Sequence, residues 1–260
     1  IADFIIIFFY IGVMLTVGLW FHRKNESSDD YYVGGRKMTR WHLGLSVVAT
    51  DVGGGFSIGL GGLGFAMGLS GSWILFTGLI GAWLTSVILI PRVYKIAFTS
   101  KFQTFPEMLS HHYGKHVAFW AGIISAIGYL GFTSSQILAG AKLTAGTIDS
   151  LDINNAALIM GVIAIVYTAL GGLKAVIYTD TVQWAILLSG LTFVGVPFAL
   201  HSVGGLDVLR ESVDREMLQL TNVKWSVVVN WAFSIIPIWF IGMTLYQRIY
   251  AASSRKEAQK

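Results

Sequence analysis

The 260-residue chain has no cysteine and only 4 prolines, and Asp, Glu, Lys and Arg make up just 12% of it, against about 25% in an ordinary soluble domain. Without cysteine there are no disulfides and no thiolate metal centres, and the redox compartment stays open. The shortage of charge, with 54% hydrophobic residues and a mean hydropathy of +0.65, excludes a soluble globule. Catalytic signatures are missing too. No HExxH, GxSxG, GxxxxGK[ST] or well-spaced carboxylate pair occurs, so no enzyme is expected. What the chain has is apolar runs of about 20 residues without strand alternation, the pattern of an all-α integral membrane protein in a lipid bilayer rather than a β-barrel.

Seven spans are expected, at about 1–22, 41–69, 72–91, 117–147, 155–172, 176–200 and 226–250. The positive charges check this count. Fourteen fall on one side, among them Arg23, Lys24, Arg36, Lys37, Arg92, Lys95, Lys174 and Arg248, against Arg210, Arg215 and Lys224 on the other. The net charge of +4 is then accounted for by topology and not by nucleic acid. The N-terminus is expected outside and the C-terminus of the chain in the cytoplasm, with a bacterial inner (plasma) membrane as the expected location. A chain that opens on Ile1 and stops in SRKEAQK reads as part of a longer protein.

The centre of interest is Ser46–Gly71, SVVATDVGGGFSIGLGGLGFAMGLSG, in which Asp51 precedes three consecutive glycines and six more follow. A carboxylate at the centre of a membrane helix costs about 2.5–3.5 kcal/mol on insertion scales, so such residues face a bundle interior or a watery path. Glycines let a helix unwind there, and the freed carbonyls and half-helix ends suit a cation. The alternative is a tightly packed helix with Asp51 near its polar end. Span seven carries Pro237 and Gly242 near its middle, and proline frees carbonyls by removing a helical hydrogen bond. Paired interruptions in corresponding places point to a transporter's central site. Trp231, Phe233, Trp239 and Phe240 are candidates to line it, or else packing and interfacial anchors.

Asp180, early in span six, either attracts a cation at the inner mouth or caps a helix beside Thr179 and Thr181. In span four Thr133, Ser134, Ser135 and Gln136 are contacts or packing glue. The loop RKNESSDDYYVGGRKMTR reads as a solvated connector. TFPEMLSHHYGKH reads as a short helix capped by Thr104, with His111 and His112 badly placed to share a metal. GGLDVLRESVDREMLQL reads as an amphipathic helix on the outer surface.

At YYVGGRKMTRWHLGLSVVATDVGGG, YTALGGLKAVIYTDTVQ and QRIYAASSRKEAQK the chain resembles the sodium:solute symporter family, leaning toward its choline-transporter-like and proline-carrier-like branches. The resemblance implies the leucine-transporter-type inverted-repeat fold: one transmembrane transporter domain over 1–260, with an extra helix at 1–22, the first repeat at 41–200 and the opening helix of the second at 226–250. It implies sodium-coupled symport of a small organic solute (an amino acid, a choline-like cation or a carboxylate) by alternating access, with no organic cofactor. The carbonyls of Ala49 and Val52 would ligate sodium, with Asp51 near the ion and Asp180 on its exit route. Phe56, Trp239, Gly242 and Thr244 would meet the solute. Gly55 and Phe56, and Gly242 in span seven, depart from the polar residues of sugar carriers and argue against a sugar. The helix whose hydroxyls complete the family's sodium site falls outside the chain. The alternative function is a membrane sensor domain of a signalling protein on the same fold.

Overall fold

The structure, a computed structural model, describes residues 2–148 and 150–259, without the side chains of 2–4 and 55–57. Among the described residues every regular element is helical: α1 Ala2–Lys24, α2 Ser28–Val33, α3 Arg40–Asp51, α4 Gly54–Met67, α5 Trp73–Leu84, α6 Ile90–Ser100, α7 Phe105–Tyr113, α8 Lys115–Thr147, α9 Ile153–Gly190, α10 Val196–Val203, α11 Leu206–Ser212, α12 Trp225–Ile241, α13 Met243–Ala251 and α14 Arg255–Gln259.

Among the described residues four helical runs are long and apolar enough to cross a membrane, or five if α12 and α13, bent by 42°, are taken as one. Two of those runs fold back on themselves. In α9 the hydroxyls of Tyr167 and Thr179 are hydrogen-bonded, although twelve residues of straight helix would part them by about 18 Å. The chain reverses at Gly172, whose φ of +63° suits glycine, and a Cβ there would lie 2.6 Å from the Tyr31 carbonyl. The run from α4 to α6 reverses in the tight turn Gly68–Ser72, where Gly71 packs on Leu63. Counting both reversals, and α3–α4 as one interrupted pass, restores the seven passes that the apolar runs predict.

The buried residues gather at the end that carries the basic loops. Val33, Ile90, Val93, Ala97, Phe102, Met108, Tyr246, Ile249 and Tyr250 form one cluster, and Met38, Leu43, Ile177, Ala251 and Ala252 another. Large apolar side chains such as Phe9, Phe65, Phe193 and Phe198 stay exposed, as expected of a surface solvated by lipid tails.

Two connections differ from their expected forms. The first loop is a clasp and not a solvated connector. Ser27 caps α2 by accepting from the Asp30 N–H at 3.1 Å. Arg36 then turns back to Asp29 at 2.9 Å and donates to the carbonyls of Lys101 and Phe102 at 2.9 and 3.0 Å. Lys174 reaches Asp30 at 3.1 Å. These cations hold both carboxyls below their ordinary values, chiefly through the hydrogen bonds from Arg36 and Lys174. The expected amphipathic helix stops at Ser212 because its remainder docks: Met217 lies on Gly68, and the carbonyls of Leu220 and Asn222 accept from Trp73 Nε1 and Ser70 Oγ at 2.8 and 3.0 Å. Thr104 caps α7 as its sequence predicts, accepting from the Glu107 N–H at 3.3 Å.

Candidate functional site

Both suspected helices are interrupted. The first breaks between α3 and α4: Val52 closes α3 by donating to the Val48 carbonyl at 2.8 Å, and Gly53 is extended at φ −62°, ψ 179°. Ala49 lies in the last turn of α3 and Val52 is its C-cap. Asp51 is the last residue of α3, with an exposed side chain. From the other side α8 presses on the break. A Cβ at Gly53 would lie 2.6 Å from Gln136 Oε1, and one at Gly54 3.4 Å from the Ala139 methyl.

The second break falls at Gly242, φ −64° and ψ 111°, between α12 and α13. Pro237, inside α12, has no N–H to give its own turn. Around the break one helical bond persists and the other polar groups find partners outside the ladder. The Gly242 N–H donates to Ile238 O at 2.8 Å, the Tyr246 hydroxyl to Phe240 O at 2.7 Å, and the Leu245 N–H to Gly242 O at 3.0 Å. The Thr244 N–H donates to the hydroxyl of Tyr129 on α8 at 3.1 Å, and Tyr129 also reaches Thr244 Oγ1 at 3.3 Å.

One side chain joins the two breaks. Arg248, one turn beyond Thr244, is only 5% exposed. Its Nη1 donates to Thr244 O at 3.2 Å, its Nε to Ser46 Oγ at 3.1 Å, and its Nη2 to Ser46 O and Oγ at 3.2 and 2.9 Å and to Thr50 Oγ1. The guanidinium thus grips the last turn of α3 from α13. A buried cation needs a counter-charge. Asp180 supplies it, with Oδ2 3.7 Å from Nη2, and the Ser46 hydroxyl bridges the two by donating to Asp180 at 2.5 Å. Asp51 lies within electrostatic range of the same guanidinium. Alongside, His42 Nδ1 meets Thr181 Oγ1 at 3.0 Å and Gln183 bonds to the Tyr10 hydroxyl, so one stretch of α9 faces polar partners on α1, α3 and α13.

Of the expected site residues, Thr244 and Asp180 meet at Arg248 and Asp51 lies within its electrostatic range, while Ala49 and Val52 sit at the end of α3 and Gly242 at the α12–α13 break. Asp180 does not cap a helix. It sits two turns past Gly172, and its carboxylate turns to Ser46. Trp239 is lodged elsewhere, in the notch that Gly81 leaves on α5. The side chain of Phe56 is outside the described residues. Sequence reasoning missed Ser46, Tyr129 and the burial of Arg248. The available signal was an arginine inside the last turns of an apolar span, with an aspartate in another span to match it.

A helical membrane protein whose polar centre lies between two interrupted helices belongs to the architecture of secondary transporters. The model of the sodium:solute symporter family matches residues 31–259. The chain belongs to the sodium:solute symporter family. It is 35% identical over 222 residues to sodium/glucose cotransporter 1 of Oryctolagus cuniculus, covering 82% of this chain and 32% of that protein. It is 36% identical over 218 residues to sodium/myo-inositol cotransporter 2 of Homo sapiens, covering 81% and 31%. It is 30% identical over 215 residues to the high-affinity proline transporter PutP of Bacillus subtilis (strain 168), covering 80% and 45%. The chain therefore spans about a third to under half the length of these relatives. In fold it is similar to a Na+-coupled sialic acid symporter solved in a substrate-bound, outward-open state, with a TM-score of 0.69 and 20% identity, covering 99% of this chain and 55% of that one. The leucine-transporter-type fold expected from the resemblance is the fold observed.

Proposed function

We propose that the chain is the N-terminal part of a sodium-coupled symporter for a small organic solute, working by alternating access in the plasma membrane with its N-terminus outside. The observation that carries this reading is the joint at Arg248, which ties the last turn of α3, the first turn of α13 and Asp180 into one polar centre. Sodium is a hard cation that prefers oxygen ligands. The carbonyls of Ala49 and Val52, at the end of α3, are ligands of that kind, and Asp51 raises the local negative potential without having to touch the ion. Asp180 offers the next carboxylate along the path, and a cation passing it competes with Arg248 for it. The solute lies by Phe56, Gly242 and Thr244, while Trp239 shapes the site from behind by fixing α12 on α5.

A solute is accumulated only if its affinity depends on the ion, and the reverse dependence follows by linkage. Tying both breaks to one guanidinium makes such linkage physical, since neither helix end can shift without moving the other's partner. The relatives' printed names cover glucose, inositol and proline. The glycine and phenylalanine at 55 and 56 and Gly242 favour an amino acid, a choline-like cation or a carboxylate over a sugar. The test is uptake into proteoliposomes by the full-length protein that contains this chain, with proline, choline, pantothenate and glucose offered in turn, with and without an inward sodium gradient. Accumulation that collapses with the gradient is expected for one of them. Saturable binding without accumulation would overturn symport and support a sensor instead.

A further inference from the structure

The two breaks are met by one face of one helix. Tyr129 and Gln136 are seven residues apart on α8, two turns, and so point the same way. Tyr129 stands at the α12–α13 break, and Gln136 lies against Gly53 at the α3–α4 break. Tyr129 is the more telling of the two, because its hydroxyl accepts the Thr244 N–H, a backbone donor that the interruption takes out of the helical ladder. Inside a bilayer such a donor must find a partner within the protein. Here the partner comes from a different helix, so the position of α13 is referred to α8. Thr244 passes that reference on, since its own carbonyl accepts from Arg248 Nη1 at 3.2 Å, and Arg248 holds Ser46 and Thr50.

Resting on the symporter reading, we propose that Tyr129 is a positioning residue for sodium: its hydroxyl fixes the first turn of α13, through which Arg248 fixes the end of α3 that presents the carbonyls of Ala49 and Val52. Tyr129 touches neither ion nor reacting group. Its contribution is preorganisation, which raises affinity by removing the cost of ordering the ligands on binding.

The experiment uses the full-length protein in nanodiscs, with sodium chloride as the probe against choline chloride at constant ionic strength. Sodium binding is followed by tryptophan fluorescence. It is also followed by the distance between spin labels at Val117→Cys on α8 and Arg255→Cys on α14, the chain itself contributing no cysteine. Tyr129→Phe deletes one oxygen and is expected to raise the half-maximal sodium concentration about tenfold, the order of effect of leaving one buried donor unpaired. Thr244→Ala keeps the N–H and loses the weaker Oγ1 contact, so a rise of about threefold is expected. Leu130→Ala, whose side chain is exposed and turned away from both breaks, is expected to change nothing. A merely structural tyrosine would lower the melting temperature without sodium and leave the midpoint alone. An unmoved midpoint in Tyr129→Phe overturns the proposal while leaving the symporter reading intact. If that variant does not fold, Tyr129→His, which keeps a polar ring but is too short to place an acceptor where the hydroxyl stood, replaces it, and an unmoved midpoint there overturns the proposal equally. Absence of any sodium response in the unaltered protein overturns the symporter reading and this proposal with it.

Discussion

The two interrupted helices break for different physical reasons. The α3–α4 break is defined by space: consecutive glycines let α8 bring Gln136 and Ala139 against the backbone, where any side chain would push them back. The α12–α13 break is defined by hydrogen bonds. Gly242 there has φ −64°, a backbone conformation open to any residue, and what shapes the break is the pair of hydroxyls that take up its freed groups, Tyr246 on the Phe240 carbonyl and Tyr129 on the Thr244 N–H. The first break thus depends on the space left for α8 and the second on hydroxyls that can be removed, and Arg248 is where the two meet.

Removing the joint should have the largest effect. Arg248→Leu leaves Asp180 buried with its cation gone, and stranding one partner of a buried pair costs about 3–5 kcal/mol. Expression should fall, and uptake by the protein that does reach the membrane should drop at least about a hundredfold. Quantifying surface-accessible protein beside initial uptake rates separates the two losses.

Next comes a direct contrast between the breaks. Gly53→Ala is expected to displace Gln136 and lower initial uptake about tenfold with little loss of stability, because the atom in the way is the far end of a flexible side chain. Gly242→Ala would put a Cβ 2.9 Å from the Ile238 carbonyl, a backbone atom with no cheap way to yield, so it is expected to cost stability as well as uptake, where Gly53→Ala costs chiefly uptake. Equal losses in the two variants would erase the distinction.

How much of this the sequence disclosed depends on how local each cause is. Both interruptions were legible because glycine runs and an internal proline act on their own turn. Asp180 was legible because a carboxylate in an apolar span is costly wherever it points. Arg248 was misjudged as one more inner-face cation: its position near the end of a span fits the charge bias, and its burial depends on Ser46 and Thr50, 202 and 198 residues away in the chain. Tyr129 carries no local signal at all, since an aromatic in a membrane helix is ordinary. The clasp at α2 was hidden for the same reason. Its mixed charges look solvated until Lys101, Phe102 and Lys174 are brought beside them.

That clasp supplies the smallest expected effect. Asp29 and Asp30 are held below the ordinary carboxylate value by Arg36 and Lys174, so their contribution to stability is fully present above about pH 4 and is lost as pH falls through their lowered values. The pairs are partly solvated and surface pairs are weak, so Asp30→Asn should move the melting temperature by no more than a degree or two near neutral pH. The difference from the unaltered protein should vanish in acid. A difference that persists or grows in acid would mean that the Lys174 pair is not its source.

The central claim is that the α3–α4 break holds sodium beside Asp51 and that the ion governs transport. The most direct test is the sodium dependence of uptake by the full-length protein carrying Asp51→Asn. A carboxylate about 5 Å from a cation at an effective dielectric of about 40 is worth about 1.7 kcal/mol. The account therefore predicts a half-saturating sodium concentration raised about tenfold, at unchanged expression. A sodium dependence identical to that of the unaltered protein would contradict it.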